Sequence, residues 1–122
     1  AKISIITYGM GVYWSQTAAR TYPGQVEIID LRTLNPIDDD MIFESVKKNN
    51  RCLVVTEEPI FNTFAQALAG RIQNECFGYL DAPVRVIGSE DLPAIPLNST
   101  LEATMLPSAE KVQKGIEELL NY

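Results

Sequence analysis

Between Val26 and Val46 the chain switches from the period of a strand to the period of a helix, and the switch leaves few folds open. Val26-Glu27-Ile28-Ile29 is short, β-branched and mostly apolar, as an interior strand of a parallel sheet must be. Pro36 excludes helix at Asn35 and imposes an extended approach. Asp38 then stands where a side chain caps the amides of a new helix, with Asp39 and Asp40 near its positive end. Ile37 and Ile42 have the spacing of a hydrophobic staple. Met41, Ile42, Ser45 and Val46 share one side of that helix, which closes on Lys47 and Lys48 at its negative end, and Asn49-Asn50 offers a left-handed exit. Strand, turn and helix in this order form the unit of an α/β domain, whose sheet carries helices on both faces.

The rest of the chain repeats the unit. Ile3 to Thr7 reads as a first strand, Gly9 and Gly11 as a tight turn, and a helix follows to about Tyr22 with Val12, Ser15, Ala18, Ala19 and Tyr22 inward. Arg51 to Thr56 is a third strand. Phe64, Ala65, Leu68, Ala69, Ile72 and Cys76 are the inward stripe of the next helix, and Val84 to Ile87 is a fourth strand. From Gly88 to Pro107 periodicity fails, which predicts a long irregular surface segment against a neighbouring domain. Ser108 then caps a last helix with Val112, Ile116, Leu119 and Leu120 inward. The chain reads as one domain over residues 1–122, cut from a longer protein, since it opens directly on a strand.

Charge and composition narrow the function. A net charge of −6 leaves no basic stripe to neutralise nucleic-acid phosphates or to seek an anionic membrane. No apolar run approaches the roughly 20 residues that span a bilayer. There is no histidine, so a Ser-His or Cys-His nucleophile, a histidine-ligated metal and a histidine proton shuttle are excluded within this chain. Cys52 and Cys76 lack a short metal-binding spacing and read as reduced core thiols, in keeping with a reducing compartment.

Four places hold candidate chemistry. Gly9-Met10-Gly11 after a strand, with Asp30 at the end of the next, has part of a dinucleotide-binding pattern, but Trp14 stands at the third glycine position, where its bulk is expected to prevent close helix–strand packing. Glu57-Glu58 lies at the carboxyl end of a central strand, where α/β domains place ligands. Successive residues of an extended segment point opposite ways, so the two acids do not face one substrate. Arg32 suits a phosphate or carboxylate, or a structural pair with a nearby Asp. Asp81, in a turn before a strand, suits bonding to nearby backbone amides.

Five segments carry a resemblance in order along nearly the whole chain: Thr7-Tyr8-Gly9-Met10-Gly11, Asp30-Leu31-Arg32-Thr33-Leu34-Asn35-Pro36-Ile37-Asp38, Leu53-Val54-Val55-Thr56-Glu57-Glu58, Tyr79-Leu80-Asp81-Ala82-Pro83, and Leu106-Pro107-Ser108-Ala109-Glu110-Lys111. Together they resemble the C-terminal domain of transketolase-like enzymes, above all the β subunit of the thiamine-diphosphate-dependent first component of 2-oxoacid dehydrogenase complexes. The chain departs from that pattern at Phe61-Asn62-Thr63-Phe64, where the family usually has a glycine-rich turn. The resemblance implies a three-layer α/β/α sandwich on a mostly parallel five-stranded sheet with one antiparallel edge strand. It implies an assembly and docking domain with no catalytic, cofactor-binding or metal residues of its own. Thiamine diphosphate and magnesium would be held elsewhere in an oligomeric parent enzyme of α and β subunits, in the bacterial cytoplasm or the mitochondrial matrix. It also implies a partner: a small basic subunit-binding domain of the acyltransferase core, which would land on Asp81 and the carboxylate of Tyr122. The alternatives are a free-standing nucleotide-binding domain using the Gly9–Gly11 turn, and the C-terminal domain of another transketolase relative.

Overall fold

The computed structural model describes residues 1–33, 39–59, 63–89 and 99–122. Its elements alternate as the apolar runs require: β1 Ile3–Thr7, α1 Met10–Ala19, β2 Val26–Asp30, α2 Asp39–Asn49, β3 Cys52–Pro59, α3 Thr63–Glu75, β4 Arg85–Ser89 and α4 Ser99–Leu120. Short 3-10 turns, Leu31–Thr33 and Phe77–Tyr79, follow β2 and α3. The strands lie in the order β2-β1-β3-β4, every pairing parallel. Ile5 stands opposite both Ile28 and Leu53, and Val54 opposite Val86.

The period-two pleat sorts the two central strands between two cores. Ile3, Ile5, Leu53 and Val55 meet Trp14 and Ala18 of α1 and Val112, Ile116 and Leu119 of α4. Ile6, Cys52 and Val54 meet Ile42 and Val46 of α2 and Ala65, Leu68 and Ile72 of α3. Both faces are covered, and the three layers expected from the sequence are present.

Several expectations are corrected. Among the described residues the sheet has four strands, all parallel, rather than five with an antiparallel edge. The four paired strands are the four β-branched runs, and the apolar stretches between them go to helices. The stretch expected to be irregular from Gly88 to Pro107 is regular at both ends: Gly88 and Ser89 belong to β4, and α4 begins at Ser99, before Ser108. Leu101, Glu102, Ala103 and Met105 are strong helix formers, and Pro107 falls inside the helix rather than ahead of it. On α1 the buried positions are Gly11, Trp14, Ser15 and Ala18, with Val12 half-buried. Met41, expected inward, is exposed. The Asp38 cap, the Ile37 staple and Pro36 lie outside the described residues. Asn50 does leave α2 in the left-handed region, at φ 70°.

Gly11 sets the distance between α1 and the sheet. A Cβ there would stand 2.1 Å from Thr7 Oγ1 and 3.2 Å from the Val55 carbonyl oxygen. Gly70, on α3, has nothing within 4 Å of the same position. Gly11→Ala should therefore destabilise this chain by about 1–3 kcal/mol through overpacking. Gly70→Ala should stabilise it by about 0.5–1 kcal/mol through helix propensity. Chemical unfolding curves of the two variants check the opposite signs.

Candidate functional site

The parallel sheet has two rims, and the candidate residues divide between them. At the carboxyl rim, Gly9 precedes α1 at φ 60° and ψ −134°, a backbone conformation that favours glycine. A cavity of about 460 Å³ opens there, lined by Gly9, Met10, Val12, Tyr13, Gln16, Asp30 and Arg32. Asp30 Oδ1 accepts the Arg32 backbone N–H at 2.9 Å, so the strand-end acid starts the 3-10 turn that follows. Trp14 does not hold α1 off the sheet, as its bulk suggested. The close approach occurs at Gly11, while the Trp14 indole is 7% exposed in the core beneath α4. Glu57 and Glu58 fall on β3, but their side chains lie outside the described residues. Beside them Tyr8 Oη and Thr56 Oγ1 are hydrogen-bonded at 2.7 Å.

The amino rim is more tightly tied. Asp81 precedes β4 with its side chain 58% exposed, and its Oδ2 lies 3.7 Å from Arg51 Nη1. Its backbone N–H donates to the Asn50 carbonyl at 2.8 Å. Asn50 Nδ2 donates to the carbonyls of Lys47 at 3.0 Å and Tyr79 at 2.8 Å. Lys47 Nζ stands 5.2 Å from the centroid of the exposed Tyr79 ring. Tyr122 is exposed at the end of α4. The end of α4 meets the start of β4, since Arg85 Nη1 is 3.8 Å from Glu118 Oε2 and Ala82 shares a core with Leu119. Asp81 and Tyr122 thus belong to the same rim, opposite the Gly9 turn.

A buried polar chain escaped sequence reasoning. Asn49 Nδ2 donates to Ser4 Oγ at 2.8 Å, and Ser4 and Ser45 hydroxyls are 2.7 Å apart. Ser45 donates to Glu27 Oε1, and Lys48 Nζ donates to Glu27 Oε2 at 2.9 Å. Because the Ser45 proton goes to Glu27, Ser4 donates to Ser45, and the protons run in one direction toward the carboxylate. The pairs are 18 to 45 residues apart, so only an inward-facing serine in a largely apolar strand hints at them. The Ser45 hydroxyl first, and then Lys48, holds the Glu27 carboxyl below its usual value. Burial pushes the Cys52 and Cys76 thiols up, and both are free and buried. Among the described residues no three His, Cys, Asp or Glu side chains stand together as a metal site, and no helix is long and apolar enough to cross a membrane.

A parallel sheet wound on both faces, with its acids set out along the rims, defines a doubly wound α/β domain. More particularly, residues 1–112 match the family described as transketolase, C-terminal domain, and the chain belongs to that family. It is 34% identical over 125 residues to the pyruvate dehydrogenase E1 component subunit beta of Rickettsia felis, covering 100% of this chain and 38% of that protein. It is 31% identical over 123 residues to the 2-oxoisovalerate dehydrogenase subunit beta of Bacillus subtilis, covering 98% and 38%. A solved split-gene transketolase, an inactive beta4 tetramer, superposes with a TM-score of 0.72 at 18% identity, covering 98% of this chain and 39% of that one, and shows the fold alone. The chain therefore spans about 38% of the length of these curated relatives.

The Glu27 carboxyl gives a pH dependence with a definite sign. Its folded value is depressed, so its stabilisation is present above the unfolded value, about 4.3, and is lost as pH falls through the folded one. Glu27→Gln should lower the melting temperature most above about pH 5, and the deficit should shrink below about pH 4. Calorimetry across that range checks it, and a deficit that stays constant with pH would place the stabilisation elsewhere.

Proposed function

We propose that this chain is the C-terminal domain of the β subunit of a 2-oxoacid dehydrogenase first component, and that it serves assembly and docking rather than chemistry. Residues 1–122 form the domain. The parent enzyme oxidatively decarboxylates a 2-oxo acid, such as pyruvate or a branched-chain 2-oxo acid, inside a bacterial cell or a mitochondrion. Likeness to pyruvate and 2-oxoisovalerate dehydrogenase beta subunits supports the parent. Thiamine diphosphate and magnesium supply the acyl-carrying chemistry when bound to that enzyme. The described residues gather no cluster of acids suited to a magnesium diphosphate, and no step of the reaction is assigned to them.

The observation that carries the docking role is the amino rim. Asp81 is exposed, is held by backbone and side-chain contacts, and shares its rim with the exposed Tyr122. On a chain of net charge −6, the exposed Asp81 carboxylate beside the exposed Tyr122 makes an anchor for a basic partner, with fast and salt-sensitive association. The partner is the subunit-binding domain of the acyltransferase core, and the β and α subunits complete the oligomer. The nucleotide-binding alternative is weaker, because Asp30 caps its own turn.

Asp81→Asn should weaken binding of that subunit-binding domain at least about tenfold, equivalent to about 1.4 kcal/mol. Tyr122→Ala should weaken it too, since the exposed ring shares that rim. Neither change should move stability by more than about 0.5 kcal/mol, since Asp81 is exposed. Surface plasmon resonance on the assembled β subunit is the test. If Asp81→Asn binds like the parent yet unfolds several degrees lower, Asp81 is a turn residue and the docking role falls.

A further inference from the structure

Asn50 makes more contacts than the end of a helix requires. Its left-handed backbone, φ 70°, lets its N–H donate to the Val46 carbonyl at 2.7 Å and close α2. Glycine would do that alone. The side chain adds two bonds, Nδ2 to the carbonyls of Lys47 and Tyr79, and the Asn50 carbonyl accepts from the Asp81 N–H at 2.8 Å. One residue thus holds the turn on both sides of Leu80. The next residue, Arg51, reaches the Asp81 carboxylate from the domain side, being only 20% exposed, and leaves the outward side of a 58% exposed acid to solvent.

We propose that Asn50 is the positioning residue of the docking rim: its amide pins Tyr79 and its carbonyl pins Asp81, so that the acid is presented in one place before a partner arrives. The inference rests on the docking role given to Asp81 above and deepens it. A carboxylate on a loose turn must be ordered when it binds, and that ordering subtracts from affinity. Asn50 contributes no charge and need not touch the partner.

The position admits a test that separates geometry from charge. Asn50→Gly keeps the left-handed backbone but deletes the amide. Asn50→Asp keeps the backbone preference and the shape, but turns a donor into a carboxylate facing two carbonyls. If charge alone governed the rim, an added acid would tighten a basic partner. If Asn50 positions Asp81, both variants should bind the acyltransferase subunit-binding domain at least about threefold more weakly, the lower range for residues in one network. The Asp81 amide should also exchange faster with solvent in both. Binding by plasmon resonance and exchange by mass spectrometry are measured on the assembled β subunit, beside Asp81→Asn. Asn50→Asp binding as tightly as the parent, or more tightly, overturns the proposal. If Asn50→Asp fails to assemble, Asn50→Gly decides, and parent-like binding by it is equally contrary. Loss of affinity with Asp81→Asn but not with either Asn50 variant sinks this inference and leaves the docking role standing. Parent-like binding by Asp81→Asn sinks both.

Discussion

β1 and β3 lie at the centre of the sheet, and residues Ile3–Thr7 and Cys52–Thr56 are buried. A strand with no wet face needs helices on both sides, and each parallel pairing needs a crossover long enough to hold one. The layers follow from that demand: α1 and α4 cover one face, α2 and α3 the other. Gly11 then lets α1 approach Thr7 and Val55 at a distance no side chain there would allow. β1 also buries two polar residues, Ser4 and Thr7, and the cost of burying Ser4 is met by the proton chain through Ser45 to Glu27.

A mostly apolar interior leaves the acids and bases outside, and the two rims treat them differently. At the carboxyl rim, Asp30 is engaged by its own turn, and Trp14, which occupies the last glycine position of a dinucleotide pattern, belongs to the core. At the amino rim, the turn before β4 is held to the end of α2 through Asn50, and the end of α4 is held to the start of β4 through Arg85 and Glu118. Packing thus fixes in space an exposed acid and the exposed end of the last helix. The proposed docking role uses what that packing leaves at the surface.

Much of this was legible in the residues. The β-branched runs mark the four strands to within three residues, the largest miss being the end of β3 at Pro59, and helical spacing picks out Ile42, Val46, Leu68, Ile72, Val112 and Ile116 as core. Where the reading failed, a local rule met a tertiary context. Pro107 looked like a boundary, yet α4 runs through it from Ser99. Trp14 looked too large for a close-packed helix, but Gly11 makes the contact and leaves the indole to α4. Met41 continues the apolar spacing of α2, but it lines an open groove beside Glu27, Ile28 and Ile29 of the edge strand β2 and stays exposed. Asp81 was visible as a motif. Its ties to Asn50 and Arg51 were not, because they join residues some thirty positions apart.

The proposed docking places the partner on the amino rim and not on the carboxyl rim. Hydrogen–deuterium exchange on the assembled β subunit, with and without the basic subunit-binding domain, tests it directly. Docking on the amino rim should give new protection at residues 79–85 and 117–122, with residues 9–16 and 30–32 unchanged. Protection centred on the Gly9 turn and Asp30, with the Asp81 turn unchanged, would contradict it.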